Sequence, residues 1–368
     1  MTRYGALQTP ATGKARRAMH GRWAVPVVCG VLGLCALCTT ALAADEAARL
    51  HEALAACPFK IVYESYRDNN WELMIVDADG STPVNITQTP AIDELYPHAS
   101  PDGSKVVFLA DEGEGAARLR NVCFMDLDGT GRTIVGENGR QPFWSPDGKA
   151  IAYAREPGVK YPSDPYSNSG LYLYDVETGE TTPHPNPDLA GLLNPCLSPD
   201  GNWIIASAIR AMGYNESIVA VEANGPKIIE LMRSCSDAED VHQCRPDIGP
   251  DGRQVAWGTG NTRHKDYMWV EIADVDFDLD EPKVTSRRRV VRVDYPLQTY
   301  HVDWSPDGKY IVYAQGDEGT RMQPAGYVIG KKAKGWDLWV VDPSVPNVTV
   351  QITHDGLSNK EPDWIFVE

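Results

Sequence analysis

Hydrophobic and polar positions alternate in short runs along most of the chain, which is the pattern of β-strands with one buried face. Runs such as KVVFLA at 105–110 and YIVYAQ at 310–315 are each followed by polar or turn-forming residues. The 32 glycines and 27 prolines can supply the many turns that such strands need. The pattern therefore predicts an all-β chain of many short strands.

One turn recurs along the chain. Its sequence is Ser-Pro-Asp-Gly, with glycine replacing serine in the fourth of five copies, and its prolines are Pro101, Pro146, Pro199, Pro250 and Pro306. The separations are 45, 53, 51 and 56 residues. Proline fixes φ, aspartate bonds to its own backbone and glycine accepts a positive φ, so each copy predicts a tight hairpin. Strand-turn-strand repeats of this length are typical of propeller blades.

A second, acidic turn follows later in each unit, as in VDADG at 76–80 and DLDG at 126–129. We expect it to join the third strand of a blade to the fourth. An EF-hand calcium loop needs twelve residues with an acidic residue at its end, and these turns lack that length. The sequence therefore predicts no metal site, and nothing in it calls for a cofactor.

The two ends of the repeat region complement each other. The repeat begins halfway through a blade near Lys60, while Pro362, Asp363 and Trp364 match the segment that leads into Ser-Pro-Asp-Gly elsewhere. The prediction is an all-β, six-bladed propeller over residues 58–368, closed by the C-terminal strand pairing into blade one. Closure would remove the exposed edges that an open sheet leaves.

The N-terminal region has a different character. Residues 1–22 carry five basic residues and no acid, an apolar run follows, and Ala41-Leu42-Ala43 ends it. This arrangement predicts a signal peptide over residues 1–43, so the protein would be periplasmic or secreted. The alternative is a retained membrane anchor, because the run approaches the ~20 residues that span a bilayer. Residues 44–57 predict a short helix outside the propeller.

Charge and cysteine content fit an exported protein. The net charge is −17, and removal of residues 1–43 would leave 29 basic against 51 acidic residues. Such an acidic chain disfavours nucleic acid as a partner. In an oxidising compartment Cys235 and Cys244 are close enough in sequence to form a disulfide, and Cys57 with Cys123 is a second possible pair.

The repeat resembles a known family. The motif of an apolar segment, Trp-Ser-Pro-Asp-Gly and a β-rich run, as at 143–154 and 303–314, is similar to that of TolB-like six-bladed propellers with WD40-like repeats. The resemblance covers roughly residues 58–368 and implies the fold. It leaves the function open, because such propellers serve as periplasmic scaffolds, oligopeptidase domains and polysaccharide lyases.

One repeat position predicts a ring of side chains at the mouth of the central channel. It is the position before a proline that recurs in five of the six innermost strands, and its residues are Tyr96, Gln141, Asn194, Arg245, His301 and Glu361. Two positions further on lie His98, Phe143, Cys196, Asp247, Asp303 and Asp363. His98 and the first ring are the candidate ligand-binding residues, and a solvated scaffold ring is the alternative. We expect the carboxylates before Trp304 and Trp364 to bond neighbouring backbone.

Two faces of the propeller follow from the topology. The turn face would carry the Ser-Pro-Asp-Gly and acidic turns, and the loop face the longer links between second and third strands and between blades. Long links favour binding at the loop face. No Gly-x-Ser-x-Gly, His-Glu-x-x-His or phosphate loop occurs, and no catalytic residue is assigned.

The predicted function is a monomeric, non-catalytic scaffold that binds a protein or cell-envelope partner through its loop face. The alternative is a lyase or binding protein for acidic glycans in the channel, where Arg245 would neutralise a uronate and a histidine would take its proton.

Overall fold

The computed structural model describes residues 29–113, 117–155, 168–214, 217–233, 235–236, 239–261, 267–277, 281–294, 296–317 and 335–367. The strands within these ranges form six antiparallel sheets arranged in chain order. In each sheet the innermost strand is the first in chain order, except in the sheet that contains both ends of the repeat region and in the fifth sheet, where a two-residue strand precedes it.

The first three blades have four strands each. Blade one contains β1 (Lys60–Arg67), β2 (Asn70–Asp77), β3 (Val84–Asn85) and a strand from the C-terminus. Blade two contains β4 (Ile92–Ala99), β5 (Lys105–Glu112), β6 (Leu119–Asp126) and β7 (Thr133–Glu137). Blade three contains β8 (Gly139–Trp144), β9 (Ala150–Arg155), β10 (Leu171–Asp175) and β11 (Thr181–Pro183).

The next three blades repeat the arrangement, with one extra short strand in blade five. Blade four contains β12 (Leu192–Leu197), β13 (Trp203–Ala208), β14 (Ser217–Glu222) and β15 (Ile228–Met232). Blade five contains β16 (Cys235–Ser236), β17 (Glu239–Ile248), β18 (Gln254–Asn261), β19 (Tyr267–Asp276) and β20 (Lys283–Asp294). Blade six contains β21 (Leu297–Trp304), β22 (Ile311–Asp317), β23 (Asp337–Val341) and β24 (Thr349–Gln351).

The predicted closure is confirmed. Strand β25 (Ser358–Ile365) pairs antiparallel with β1, from Lys60 opposite Ile365 to Tyr66 opposite Ser358. It is buried along its whole length, and it becomes the innermost strand of blade one. The all-β, six-bladed fold expected from the repeat is therefore correct, and it has the architecture that the TolB-like resemblance implies.

The tryptophans that precede the turns fill the spaces between blades. Trp144 packs its ring 6.1 Å from that of Phe124 in blade two, and Trp364 lies 6.5 Å from the ring of Tyr310 in blade six. Trp304 belongs to a core cluster drawn from blades five and six. Because these rings are nearly buried, they fix each blade against its neighbour.

The Ser-Pro-Asp-Gly turns join first to second strands, as expected. In the first copy Gly103 N–H donates to the Ser100 carbonyl at 2.8 Å, and Ser104 N–H donates to the Asp102 carboxylate at 3.0 Å. The Ser100 hydroxyl also accepts from Lys105 N–H at 2.9 Å, which closes the first rung of the following strand. Each glycine of the turn has a positive φ, such as +66° at Gly103.

Two of these glycines form a matched test of the turn. Gly201 has φ +72° with open space beyond it, whereas a Cβ at Gly103 would overlap the carbonyl oxygen of Phe366. We expect Gly201→Ala to cost about 1–2 kcal/mol, the usual penalty of a left-handed alanine. Gly103→Ala should cost at least ~2 kcal/mol more, since backbone must move. Urea unfolding of both variants measures this; equal losses would contradict the packing of residue 366 on the turn.

The N-terminal helix is longer than expected. Helix α1 runs Cys29–Ala55, where a helix over 44–57 was predicted. Residues 1–44 and 45–368 form separate units. Within the second unit Leu50 and Leu54 are buried against blades one and six, so this part of the helix belongs to the propeller core. Across the part of the chain that the structure describes, no helix meets the length and apolarity needed to cross a membrane.

The cysteine predictions have different outcomes. Cys57 and Cys123 are both free thiols, so the second possible pair does not form. The side chains of Cys235 and Cys244 lie outside the described residues, and their disulfide stays a prediction. The strand register places Cys235 opposite Asp240 and Cys244 opposite Gly258.

Candidate functional site

The six predicted ring residues occupy the same place in all six blades. Each has a positive φ, between 48° and 60°, which is uncommon for residues other than glycine. In every blade the pairing of the innermost strand shifts at this point; in blade two, for example, Tyr96 and Pro97 together stand opposite Phe108. Proline cannot donate to the ladder, so a β-bulge is its natural place in a sheet. The bulge turns the preceding side chain toward the channel.

At several bulges the backbone N–H of the ring residue is left out of the strand pairing, and a side chain of the neighbouring blade accepts its hydrogen bond. Tyr96 N–H donates to the Glu64 carboxylate at 2.9 Å, and Arg245 N–H donates to the Ser207 hydroxyl at 2.9 Å. Asn194 N–H donates to the Gln141 carbonyl oxygen at 2.8 Å. Since each acceptor lies on the preceding blade, these bonds hold the ring together as well as the bulges.

The ring side chains contact one another across the channel. Arg245 Nη1 donates to both Glu361 oxygens, at 2.7 and 2.9 Å, and His301 Nδ1 lies 2.7 Å from Glu361 Oε2. Asn194 Nδ2 lies 3.0 Å from the same His301 nitrogen. All of these residues are at least nine-tenths buried. The ring was predicted to be a wet channel mouth, and the structure shows a buried network.

The remaining two ring residues complete the network. The Tyr96 hydroxyl donates to Gln141 Oε1 at 2.5 Å, and the Tyr96 ring meets the His301 ring edge-to-face at 6.0 Å. The Arg245 guanidinium also stacks on the ring of Tyr300, 3.1 Å from its centre. All six predicted residues are therefore brought together, and their polar groups are turned mainly toward one another.

Charge pairing fixes the protonation states in the network. Burial alone would raise the pKa of Glu361, but the adjacent Arg245 and His301 hold it well below its usual range. Burial lowers the pKa of His301, although Glu361 opposes the change. At neutral pH the network thus contains an ionised carboxylate bound to a guanidinium.

Two buried charges next to the ring were missed from the sequence. Glu64 on β1 and Lys360 on β25 lie 3.6 Å apart, and the Lys360 ammonium sits over the Trp71 ring at 4.8 Å. Burial raises the pKa of Glu64 to about 7. An acid in the middle of the strand KIVYESYR was the available signal.

A cavity of about 400 Å³ opens on the turn face of the channel. Its floor is formed by Asn194, Arg245 and His301, and its rim by the five prolines of the repeated turns together with Phe366. The wall is the second ring of the sequence analysis, with His98, Phe143, Cys196, Asp247, Asp303 and Asp363. His98 is therefore a cavity residue, while the other predicted residues lie at its floor or below it.

Three aspartates of the wall also link the blades. Asp363 accepts from Ala99 N–H at 2.9 Å and lies 2.7 Å from His98 Nδ1. Asp303 accepts from Trp364 N–H at 2.7 Å, as Asp247 does from Trp304 N–H at 2.8 Å. The expected bonding of Asp303 and Asp363 to neighbouring backbone is confirmed.

The aspartates raise one another's pKa values. Burial, together with the charge of Asp363, raises the pKa of Asp247 to about 7. Burial and the charges of Asp363 and Asp247 raise the pKa of Asp303 well above its usual range. This wall of the cavity therefore carries a proton that ordinary surface aspartates would have lost.

These shifts predict that the protein is less stable at pH 8 than at pH 6.5. Asp247, Glu64 and Glu94, whose pKa burial also raises to about 7, hold protons when folded and lose them in this window, whereas the unfolded chain does not. The free energy of unfolding should fall by roughly 1–3 kcal/mol. Burial lowers the pKa of His184 and His301, and these two groups oppose the loss by less than ~1 kcal/mol, because the unfolded imidazoles are already about half deprotonated at pH 6.5.

Urea unfolding at the two pH values measures this difference. Asp303→Asn, which keeps an acceptor for Trp364 N–H and removes one of the buried carboxyl groups with a raised pKa, should reduce it. The exposed Asp147→Asn on the same face is the matched control and should leave it unchanged. Stability that rises toward pH 8 would contradict the buried, protonated carboxyls.

Comparison with known proteins supports the fold and goes no further. No protein-family model matches the chain. An uncharacterized protein of Agrobacterium fabrum is 35% identical over 105 residues, which are 26% of this chain and 36% of that protein. Dipeptidyl-peptidase 5 of Porphyromonas endodontalis is 34% identical over 77 residues, 20% of this chain and 11% of that enzyme. The chain thus matches about a third or less of the length of these curated relatives.

Solved structures share the architecture at low identity. Hydrazine synthase of Kuenenia stuttgartiensis has a TM-score of 0.55 at 13% identity, covering 84% of this chain and 46% of that one. An oligogalacturonate lyase in complex with manganese has 0.47 at 15%, covering 77% and 71%. A protein assigned as TolB of Agrobacterium tumefaciens has 0.34 at 17%, covering 63% and 91%. These likenesses concern the fold alone, and by its blade count, repeat and closure the chain has a TolB-like six-bladed propeller.

Proposed function

We propose that this protein is a non-catalytic binding propeller, exported from the cytoplasm, that binds a protein or cell-envelope partner as a monomer. The observation that carries the proposal is the neutralisation of the channel: Arg245 and His301 are buried and both contact Glu361. An acid–base catalyst needs a group that can reach substrate and exchange a proton with it. In the described channel these two groups are held by a carboxylate of the protein itself.

The lyase alternative is weaker on the same grounds. A uronate would need an electropositive cavity, yet the wall facing solvent presents Asp247, Asp303 and Asp363. His98, the histidine nearest the opening, lies 2.7 Å from Asp363. A polyanionic chain would have to displace these contacts and add its charge to a group of carboxyls that already raise one another's pKa, so its binding there is disfavoured.

The loop face remains the proposed partner surface. Its longest links, including 156–167 and 318–334, lie outside the described residues, and their length is the reason for the proposal. A broad partner surface on one face would leave the channel network to serve stability. The turn face has a separate cavity, which is treated below.

Site-specific photo-crosslinking tests the proposed surface. A photoreactive residue at the exposed Asn69, in the β1–β2 turn on the loop face, should trap a discrete envelope component in intact cells. The same residue at the exposed Asp147 on the turn face is the matched control and should trap far less. Crosslinks that form only from Asp147 would contradict binding through the loop face.

Export can be tested on the same cells. If residues 1–43 are a signal peptide, the mass of the purified protein should correspond to a chain beginning at Ala44. A full-length mass in the membrane fraction would instead support a retained anchor.

A further inference from the structure

The cavity on the turn face combines acidic walls with a lack of basic partners. Asp247, Asp303 and Asp363 all line it, whereas Arg245 is the one Lys or Arg side chain among its described lining residues. That arginine is already bound to both oxygens of Glu361. Among the described lining residues, the carboxyl groups of Asp247 and Asp303 therefore have no lysine or arginine available to pair with them.

A second observation at the floor points to a missing partner. Asn194 is 5% exposed and lines the cavity, and its Nδ2 faces His301. Its Oδ1 has no hydrogen-bond partner among the described residues. A buried acceptor left unpaired costs free energy, so a donor supplied from the cavity would be favoured there.

The shape and chemistry of the cavity select the kind of cation. Within the described residues, no three His, Cys, Asp or Glu side chains converge closely enough to hold a metal ion. The volume of about 400 Å³ falls within the range of organic-ligand pockets. Phe143, Trp144, Trp304 and Trp364 supply aromatic surface between the carboxyls and the rim. Aromatic faces attract cations and also cover aliphatic stems.

We propose that this cavity binds an ammonium or guanidinium group carried on an apolar stem. The charged end would donate to the Asp247 and Asp303 carboxylates and to Asn194 Oδ1, and the stem would lie against the tryptophan rings below the proline rim. The group can come from a free amine or from a lysine or arginine side chain of a polypeptide. The site is independent of partner binding at the loop face.

Isothermal titration with defined probes tests the proposal. The probes are n-butylguanidinium as a free cation and an N-acetylated, C-amidated Gly-Arg-Gly peptide as a polypeptide source. The same peptide with citrulline in place of arginine is the uncharged control. We expect at least one cationic probe to bind with a Kd at or below ~1 mM, and the citrulline peptide to bind at least ~10-fold more weakly.

Variants then place the binding in the cavity. Asp303→Asn should fold, because asparagine can still accept from Trp364 N–H, and should weaken cation binding at least ~10-fold, as should Asp247→Asn. Asp147→Asn, the same substitution on an exposed turn of the same face, should leave the affinity unchanged. Thermal unfolding of each variant confirms that it is folded.

The outcomes separate the possible sources. Binding by both cations, or by either alone, supports the proposal and names the source. Three results would overturn it: no binding of either cation up to 10 mM, equally tight binding of the citrulline peptide, or unchanged cation affinity in both cavity variants.

Binding of the cation should also tighten from pH 6 to pH 8, because Asp247, with a pKa of about 7, ionises in this range beside Asp303, Asp363, His98 and Cys196. None of these outcomes depends on the crosslinking result for the loop face.

Discussion

Glu361→Gln should lower the free energy of unfolding by roughly 3–5 kcal/mol, the usual cost of breaking a buried ion pair. Glu361 is 1% exposed and bonds Arg245 through both oxygens while it also contacts His301. Glutamine would offer one acceptor to the guanidinium and leave its charge uncompensated in a buried place. The urea midpoint, followed by far-UV circular dichroism at pH 7, measures the loss.

Two comparisons make this result specific. Glu177→Gln, in an exposed turn, should change stability by no more than ~0.5 kcal/mol. Adding Arg245→Met to Glu361→Gln should recover part of the loss, because the unpaired charge is then removed. Two results would show that the ring is not a coupled network. One is a Glu361→Gln variant as stable as wild type, and the other is a double variant whose loss equals the sum of the losses measured for Glu361→Gln and Arg245→Met alone.

Deletion of residues 358–368 should abolish cooperative folding. The deletion removes β25, whose eight residues are all buried and which is the innermost strand of blade one. It also removes Trp364 from the contact with blade six and Glu361 from the channel. The deletion exposes the edge of β1 and removes a fully buried strand from the core. We therefore expect aggregation or a broad, non-cooperative melt.

A permuted chain provides the control for that deletion. β25 runs antiparallel to β1 with Ile365 opposite Lys60, so a short turn can join the end of β25 to the start of β1. A chain that begins with residues 358–367, followed by such a turn and residues 60–357, should melt cooperatively. Its matched reference is residues 58–367 in native order, which likewise lacks the helix. A deleted chain that still melts cooperatively would contradict closure by β25.

The blades could be predicted because the residues that specify each of their turns are adjacent in the sequence. The Ser-Pro-Asp-Gly turn fixes one hairpin in each unit, and Pro362-Asp363-Trp364 repeats the approach to it without the turn, which indicated closure. The ring followed from the same register, since the proline after each of five ring residues creates the bulge that turns the preceding side chain inward. In blade six Val302 takes the place of proline, and His301 keeps the same conformation.

The state of the channel was not predictable from the repeat. Arg245 and Glu361 are 116 residues apart, and nothing in their local sequences specifies that they meet as an ion pair. Their pairing depends on how six blades set the channel width, and it turned a predicted open mouth into a buried network. The position of the cavity on the turn face depends on the same width, because the ring side chains close the channel below it.

The aspartates of the cavity combine two roles. Asp303 was expected to bond backbone and does so, yet its neighbours Asp247 and Asp363 keep its pKa high. Retaining like charges at this cost to stability is common where a protein binds a ligand, and asparagine would preserve the backbone bond. We therefore expect Asp303→Asn to be as stable as wild type or more stable at pH 8, while cation binding weakens at least ~10-fold.

Turnover of acidic glycans tests the non-catalytic proposal most directly. Purified residues 44–368 would be incubated with a panel of uronate-containing polysaccharides from pH 6 to pH 9, and the absorbance of unsaturated uronates followed. We expect no increase over buffer, because Arg245 and His301 are held by Glu361 and the accessible wall is acidic. An increase that is lost in both His98→Asn and Arg245→Lys would show that the channel is a lyase active site and would contradict the proposed function.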